Sequence, residues 1–113
     1  MMKLSIVIPV YNVEPFIRGT LDSIYKQGVD ESLFEVIVVN DGTPDNSMAI
    51  VEMFADAHTN LAIINQKNQG LSAARNSGIK VAKGDYIWVV VSDDSITENS
   101  ISQALREITR HPY

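Results

Sequence analysis

The sequence predicts an α/β fold: a mostly parallel sheet of four strands with helices on both faces. Four short runs, residues 4–8, 34–39, 61–64 and 86–91, are almost wholly apolar and rich in Val and Ile. Runs of that length without polar alternation read as strands covered on both faces, as in parallel sheets. Between them stand segments whose apolar residues recur at helical spacing, and this β-α-β-α order implies right-handed crossovers. Each run is also followed by polar residues that a core does not need: Tyr11-Asn12, Asn40-Asp41-Gly42, Asn68-Gln69-Gly70 and Ser92-Asp93-Asp94. In open α/β sheets ligands sit beyond the carboxyl ends of the strands, so four such ends on one edge predict a binding site.

The first strand, Leu4-Ser5-Ile6-Val7-Ile8, is expected to end at Pro9, which has no N–H for a central ladder. Glu14-Pro15 suits a helix start. Phe16, Ile17, Leu21, Ile24 and Tyr25 follow at helical spacing, with Gly28 as the expected stop. The second strand, 34–39, runs into a dense turn cluster that extends to Ser47. Ile50, Val51 and Phe54 mark the next helix, with Thr43 or Asp45 as its expected cap. After the third strand, 61–64, Asn68-Gln69-Gly70 opens a helix carrying small residues, Ala73, Ala74 and Gly78, and Gly84 ends it. The fourth strand, 86–91, is six apolar residues long and is expected to be buried on both faces, with Trp88 in the core. Thr97 is the expected cap of a last helix bearing Ile101, Ala104, Leu105 and Ile108.

With 113 residues the chain is expected to form one domain, 1–113, with a real core. Hydrophobic content of 45% and charged content of 20% are ordinary for a globular chain. A net charge of −5 argues against a nucleic-acid surface. The absence of cysteine excludes disulfides and thiolate zinc sites. No apolar run approaches the ~20 residues needed to cross a bilayer, and Met1-Met2-Lys3 leads into the first strand without the apolar stretch of a signal peptide. A cytoplasmic location is expected, at the inner face of the membrane in the full-length protein. His58 and His111 lack partners at ligand spacing and read as surface residues.

Asp93 and Asp94 carry the sharpest chemical signal. Two adjacent carboxylates repel each other, and a divalent cation is a common way to offset that repulsion. Carboxylate oxygens suit Mg²⁺ or Mn²⁺, and Mg²⁺ is usually held by one or two carboxylates together with substrate phosphates. Ser92-Asp93-Asp94 equally suits a polar turn that caps a strand.

Taken in order, the segment from Ser5 to Asn12, that from Glu35 to Ser47, that from Asn68 to Gly78, Gly84-Asp85-Tyr86-Ile87 and Ser92-Asp93-Asp94 resemble the N-terminal half of a family-2 glycosyltransferase. The resemblance spans almost the whole chain. It implies the Rossmann-like half of a GT-A fold and a setting in polysaccharide biosynthesis. In such a protein Pro9, Tyr11 and Asn12 pack on the nucleotide base and ribose, and Asp41 accepts an N–H from uracil. Arg75 reaches the base or the phosphates, Gly70 lets the backbone approach the ligand, and Ser92 stands with the substrate-binding residues. Asn40 occupies a place where the family usually has another Asp. The family's Asp-x-Asp metal motif reads Val91-Ser92-Asp93: the metal-binding carboxylate survives as Asp93 beside Asp94, while Val91 replaces the residue that usually touches the ribose or assists at the metal. That departure implies a weaker site or one leaning on Asp94. Read without the resemblance, Tyr11 also suits a core-edge aromatic, Asp41-Gly42 a plain turn and Arg75 a solvated helix residue.

The implied chemistry is transfer of a sugar from a nucleotide-sugar donor, a UDP-sugar, to a hydroxyl of a saccharide or lipid-linked acceptor, with inversion and with Mn²⁺ or Mg²⁺ assisting. In the family the catalytic base lies past the first four strands, hence beyond Tyr113. The chain is therefore expected to be a truncated, donor-binding part that does not transfer sugar. Its open sheet edges favour homo-oligomers. The alternative is a non-catalytic nucleotide-sugar-binding or scaffold domain, which Val91 supports. A phospho-accepting receiver domain needs acids where Pro9-Val10-Tyr11-Asn12 stands, and a dinucleotide-binding domain needs Gly-x-Gly-x-x-Gly there.

Overall fold

A computed structural model of the chain describes residues 3–91. Four strands, β1 (Leu4–Val10), β2 (Phe34–Asp41), β3 (Leu61–Gln66) and β4 (Tyr86–Val89), alternate with three helices, α1 (Glu14–Tyr25), α2 (Ser47–Ala57) and α3 (Leu71–Val81). Every strand pairing is parallel and the order across the sheet is β3-β2-β1-β4. The expected α/β class is observed. The helix expected after Thr97, and with it Ser92, Asp93 and Asp94, lies outside the described residues.

The two central strands are apolar because both of their faces are covered. Successive side chains point to opposite faces of a strand, and the core divides accordingly. Ile6, Ile8, Val36 and Val38 pack with Ile17, Leu21 and Ile24 of α1 and Val51 of α2. Val7, Ile37 and Val39 turn the other way, against Ala74 of α3. Each such aliphatic side chain contributes roughly 1.5–3 kcal/mol when it leaves water. α3 rides close to the sheet because Gly78 faces it: a Cβ there would crowd Val7 and lie 3.3 Å from Val39 Cγ2.

The structure corrects several expectations. Pro9 lies inside β1, opposite Val39. Its missing donor is tolerated because Pro9 faces the same edge as Val7, whose carbonyl takes Val90 N–H, and the β4 pairing stops at Val7↔Val89. β4 is shorter than expected, is an outer strand of the described sheet, and is only half-buried, with Ile87 43% exposed. Phe16, placed by its spacing on the apolar stripe of α1, is exposed. His58 is not a free surface residue: its ring stacks on Tyr25 with centroids 3.7 Å apart, and Nδ1 lies 2.7 Å from Glu31 Oε2. Burial, with the nearby Glu31 charge, pushes the Tyr25 phenol above its ordinary range, and its hydroxyl donates to Asn60 Oδ1. The residue before α2 is Asn46, while the expected cap Asp45 accepts the backbone N–H of Ser47.

Candidate functional site

The chain winds outward from β1 through β2 to β3 and then returns to the other side of β1. At such a reversal the connections on either side leave a crevice beyond the strand ends. A cleft of about 400 Å³ lies there. It is lined by the end of β1 and its loop (Pro9, Val10, Tyr11, Val13), by Asp41 at the end of β2, by Asn68, by the start of α3 (Gly70, Leu71, Ala74) and by Val91. Tyr11 and Leu71, 45% and 59% exposed, give it apolar lips open to a ligand.

Asp41 is the acidic group of this cleft and is only 2% exposed. Its Oδ1 accepts hydrogen bonds from Gln66 Nε2 at 3.0 Å and from the backbone N–H of Gln69 at 2.9 Å. Its Oδ2 accepts the backbone N–H of Gly70 at 3.0 Å. Burial pulls the carboxyl upward, but those three donors outweigh it and hold Asp41 below the usual carboxylate range. Gly70 allows this geometry by taking φ +100, a region that side chains avoid. Gln66 is set in turn by Ser77, whose hydroxyl donates to Gln66 Oε1 at 2.6 Å. The donors on Asp41 thus come from β3, from the loop after it and from the residue that opens α3.

Of the residues singled out in the sequence, Pro9, Tyr11, Asp41 and Gly70 line this one cleft. Asn12 stands beside it with φ +55, its N–H donated to Thr43 Oγ1 at 2.8 Å. Arg75 is exposed on α3 and is not among the lining residues. Val91 does line the cleft, immediately before Ser92, Asp93 and Asp94 in the chain. Among the described residues no group of three His, Asp or Glu side chains is placed to hold a metal ion.

Sequence reasoning missed Gln66, Leu71 and the link that Thr43 and Asp45 make to the loop after β1. Gln66 ends a strand read as stopping at Ile64, and nothing local marks it as a partner of Asp41. The cluster Gly42-Thr43-Pro44-Asp45 was visible as a turn, but its grip on the loop after β1 depends on which strands lie side by side.

Comparison with known proteins agrees with this geometry. The family model described as Glycosyl transferase family 2 matches residues 5–113. The chain is 46% identical over 104 residues to the uncharacterized glycosyltransferase EpsJ of Bacillus subtilis, a match covering 92% of this chain and 29% of that protein. It is 40% identical over 102 residues to the poly(ribitol-phosphate) beta-glucosyltransferase of Bacillus spizizenii, covering 88% and 16% respectively. Residues 1–349 of TarS from Staphylococcus aureus, solved in complex with UDP-GlcNAc, superpose with a TM-score of 0.90 at 34% identity, covering 98% of this chain and 32% of that one. The chain spans about a third or less of the length of these relatives. The sheet is the Rossmann-like half of a GT-A fold, as the resemblance implied. With the family model matched over residues 5–113 and this sheet beneath most of that match, the chain belongs to glycosyl transferase family 2.

Proposed function

We propose that this chain is the donor-binding part of an inverting glycosyltransferase, one that takes a sugar from a UDP-sugar to a hydroxyl of a saccharide or lipid-linked acceptor. The observation that carries this reading is the state of Asp41. A carboxylate offers about four lone-pair positions, and three donors occupy Asp41. One position on Oδ2 remains for an imide N–H such as that of uracil. Tyr11 supplies an exposed aromatic face at the same cleft, suited to stacking on a flat base.

A divalent cation fits the next stretch of chain. Val91 lines the cleft, and the two residues after Ser92 are carboxylates whose oxygens suit Mn²⁺ or Mg²⁺. Asp93 and Asp94 would hold such an ion, which when bound neutralises charge on a departing diphosphate. Val91, where a further carboxylate is usual, leaves the ion fewer protein ligands.

Among the described residues the cleft holds a single acid, Asp41, and three hydrogen-bond donors already occupy its carboxylate. A general base must be free to reach the acceptor hydroxyl, so Asp41 is unsuited to that part, and the chain is proposed to bind donor without transferring the sugar. Calorimetric titration with UDP, with and without Mn²⁺, tests the reading. Metal-dependent binding that disappears in Asp93→Ala is expected. Metal-independent binding that survives this substitution would favour a non-catalytic nucleotide-sugar-binding domain, the reading that Val91 supports. In a turnover assay with UDP-sugars and acceptors, robust acceptor-dependent release of UDP would sink the claim that the isolated chain is inactive.

A further inference from the structure

The loops after β1 and β2 are joined by a chain of hydrogen bonds that lies outside the cleft. Asp45 Oδ1 accepts from Thr43 Oγ1 at 2.6 Å, from Ser47 Oγ at 2.7 Å and from Ser47 N at 3.1 Å. Its Oδ2 accepts the backbone N–H of Glu14 at 3.0 Å, and Glu14 Oε1 accepts that of Asn46 at 3.1 Å. One carboxylate therefore ties the first residue of α1 to the first residue of α2.

The consequence for the cleft runs through Thr43. A hydroxyl has one proton to donate and two lone pairs. Thr43 gives its proton to Asp45, so its oxygen is left to accept, and it accepts the Asn12 N–H at 2.8 Å. Asn12 has φ +55, a left-handed backbone that a residue with a side chain holds when its surroundings impose it. The residue just before it is Tyr11, on the cleft wall.

We propose that Asp45 is a positioning residue: through the Thr43 hydroxyl it holds Asn12 in the left-handed backbone and so fixes Tyr11 at the cleft without touching a ligand. The part of this proposal that concerns nucleotide rests on the donor reading above, while the part that concerns the loop stands without it.

The test uses Thr43→Val, which keeps the shape but removes the hydroxyl, Thr43→Ser, which restores it, and Asp45→Asn, which turns a donor toward a neighbouring N–H or O–H. Amide hydrogen exchange at Asn12, followed by NMR, and UDP affinity are measured in native and Tyr11→Ala backgrounds. Asn12 exchange is expected to rise about tenfold in Thr43→Val and in Asp45→Asn and to stay near native in Thr43→Ser. Amides of β1 and β2 stay protected throughout, which separates loop release from unfolding. UDP affinity is expected to fall about tenfold in Thr43→Val, and the same change costs nothing more once Tyr11 is Ala, because the two act as one unit. Unchanged Asn12 exchange in both Thr43→Val and Asp45→Asn overturns the proposal, as does an affinity loss of equal size with and without Tyr11. A chain that binds no UDP while Asn12 responds upholds the loop mechanism and sinks the donor reading; UDP binding with an indifferent Asn12 does the reverse.

Discussion

Asp41 and Asp45 use the same side-chain chemistry in different ways. Asp41 is buried at the cleft and gathers donors from Gln66, Gln69 and Gly70. Asp45 gathers its donors from Thr43, Ser47 and Glu14 and ties two loops together. At both positions burial opposes ionisation and hydrogen bonds to the charged form overcome it, which lowers Asp41 and brings Asp45 from 3.8 to about 2. The sign for stability follows. A carboxyl whose folded pKa lies below its unfolded value contributes stability that is complete above the unfolded pKa and is lost as pH falls through the folded one. Denaturant titrations are therefore expected to show stability falling between the unfolded value of 3.8 and about pH 2. The fall should be shallower in Asp45→Asn, and an identical acid profile in that variant would remove Asp45 from the account. Asp41→Asn turns an amide N–H₂ toward existing donors and should destabilise the fold by about 1–3 kcal/mol in urea titrations, the cost of a buried polar group left unsatisfied.

At the scale of elements, the short distance between α3 and the sheet is what brings Ala74 and Leu71 to the cleft. Gly78 sets it, since a Cβ there would collide with Val7 and crowd Val39. Val is stiff at χ1 and gives way poorly. Gly78→Ala is thus expected to cost about 1–3 kcal/mol through overpacking, although Ala in a helix interior is favoured over Gly by about 1 kcal/mol. Urea unfolding followed by Trp88 fluorescence measures the balance, and a variant as stable as wild type would mean that α3 has room to retreat. The elements themselves were legible in the sequence because amphipathic spacing and apolar runs are local properties of the chain. Their ends were less legible. β1 continues through Pro9 to Val10, β2 to Asp41 and β3 to Gln66, since a strand ends where its neighbour's ladder ends. Stacking of His58 on Tyr25 was likewise hidden, because α1 and the end of α2 meet only after the crossovers are made.

For the molecule as a whole, the sheet order leaves β4 as an outer strand of the described residues, with Ile87 half out in solvent. Ile79 and Val81 of α3 and Val91 are exposed as well. An apolar strand at an edge is a template for pairing with another copy. Sedimentation is expected to show concentration-dependent self-association that Ile87→Lys abolishes; a wild-type chain that stays monomeric at every concentration would end this expectation. Among the described residues no helix is long and apolar enough to cross a membrane.

By itself the sequence determined the order of elements, the apolar character of both sheet faces and the placing of polar residues after each strand. All of these follow from which neighbours along the chain are apolar. Only the tertiary structure decided that Asp41 is a buried acceptor held below the usual carboxylate range, that Val91 shares its cleft, and that Asp45 is linked through Thr43 to the loop next to Tyr11. The physical reason is range: the partners of Asp41 and Asn12 lie 25 to 31 positions away. Such groups meet only once the strand register and the handedness of the crossovers have been set.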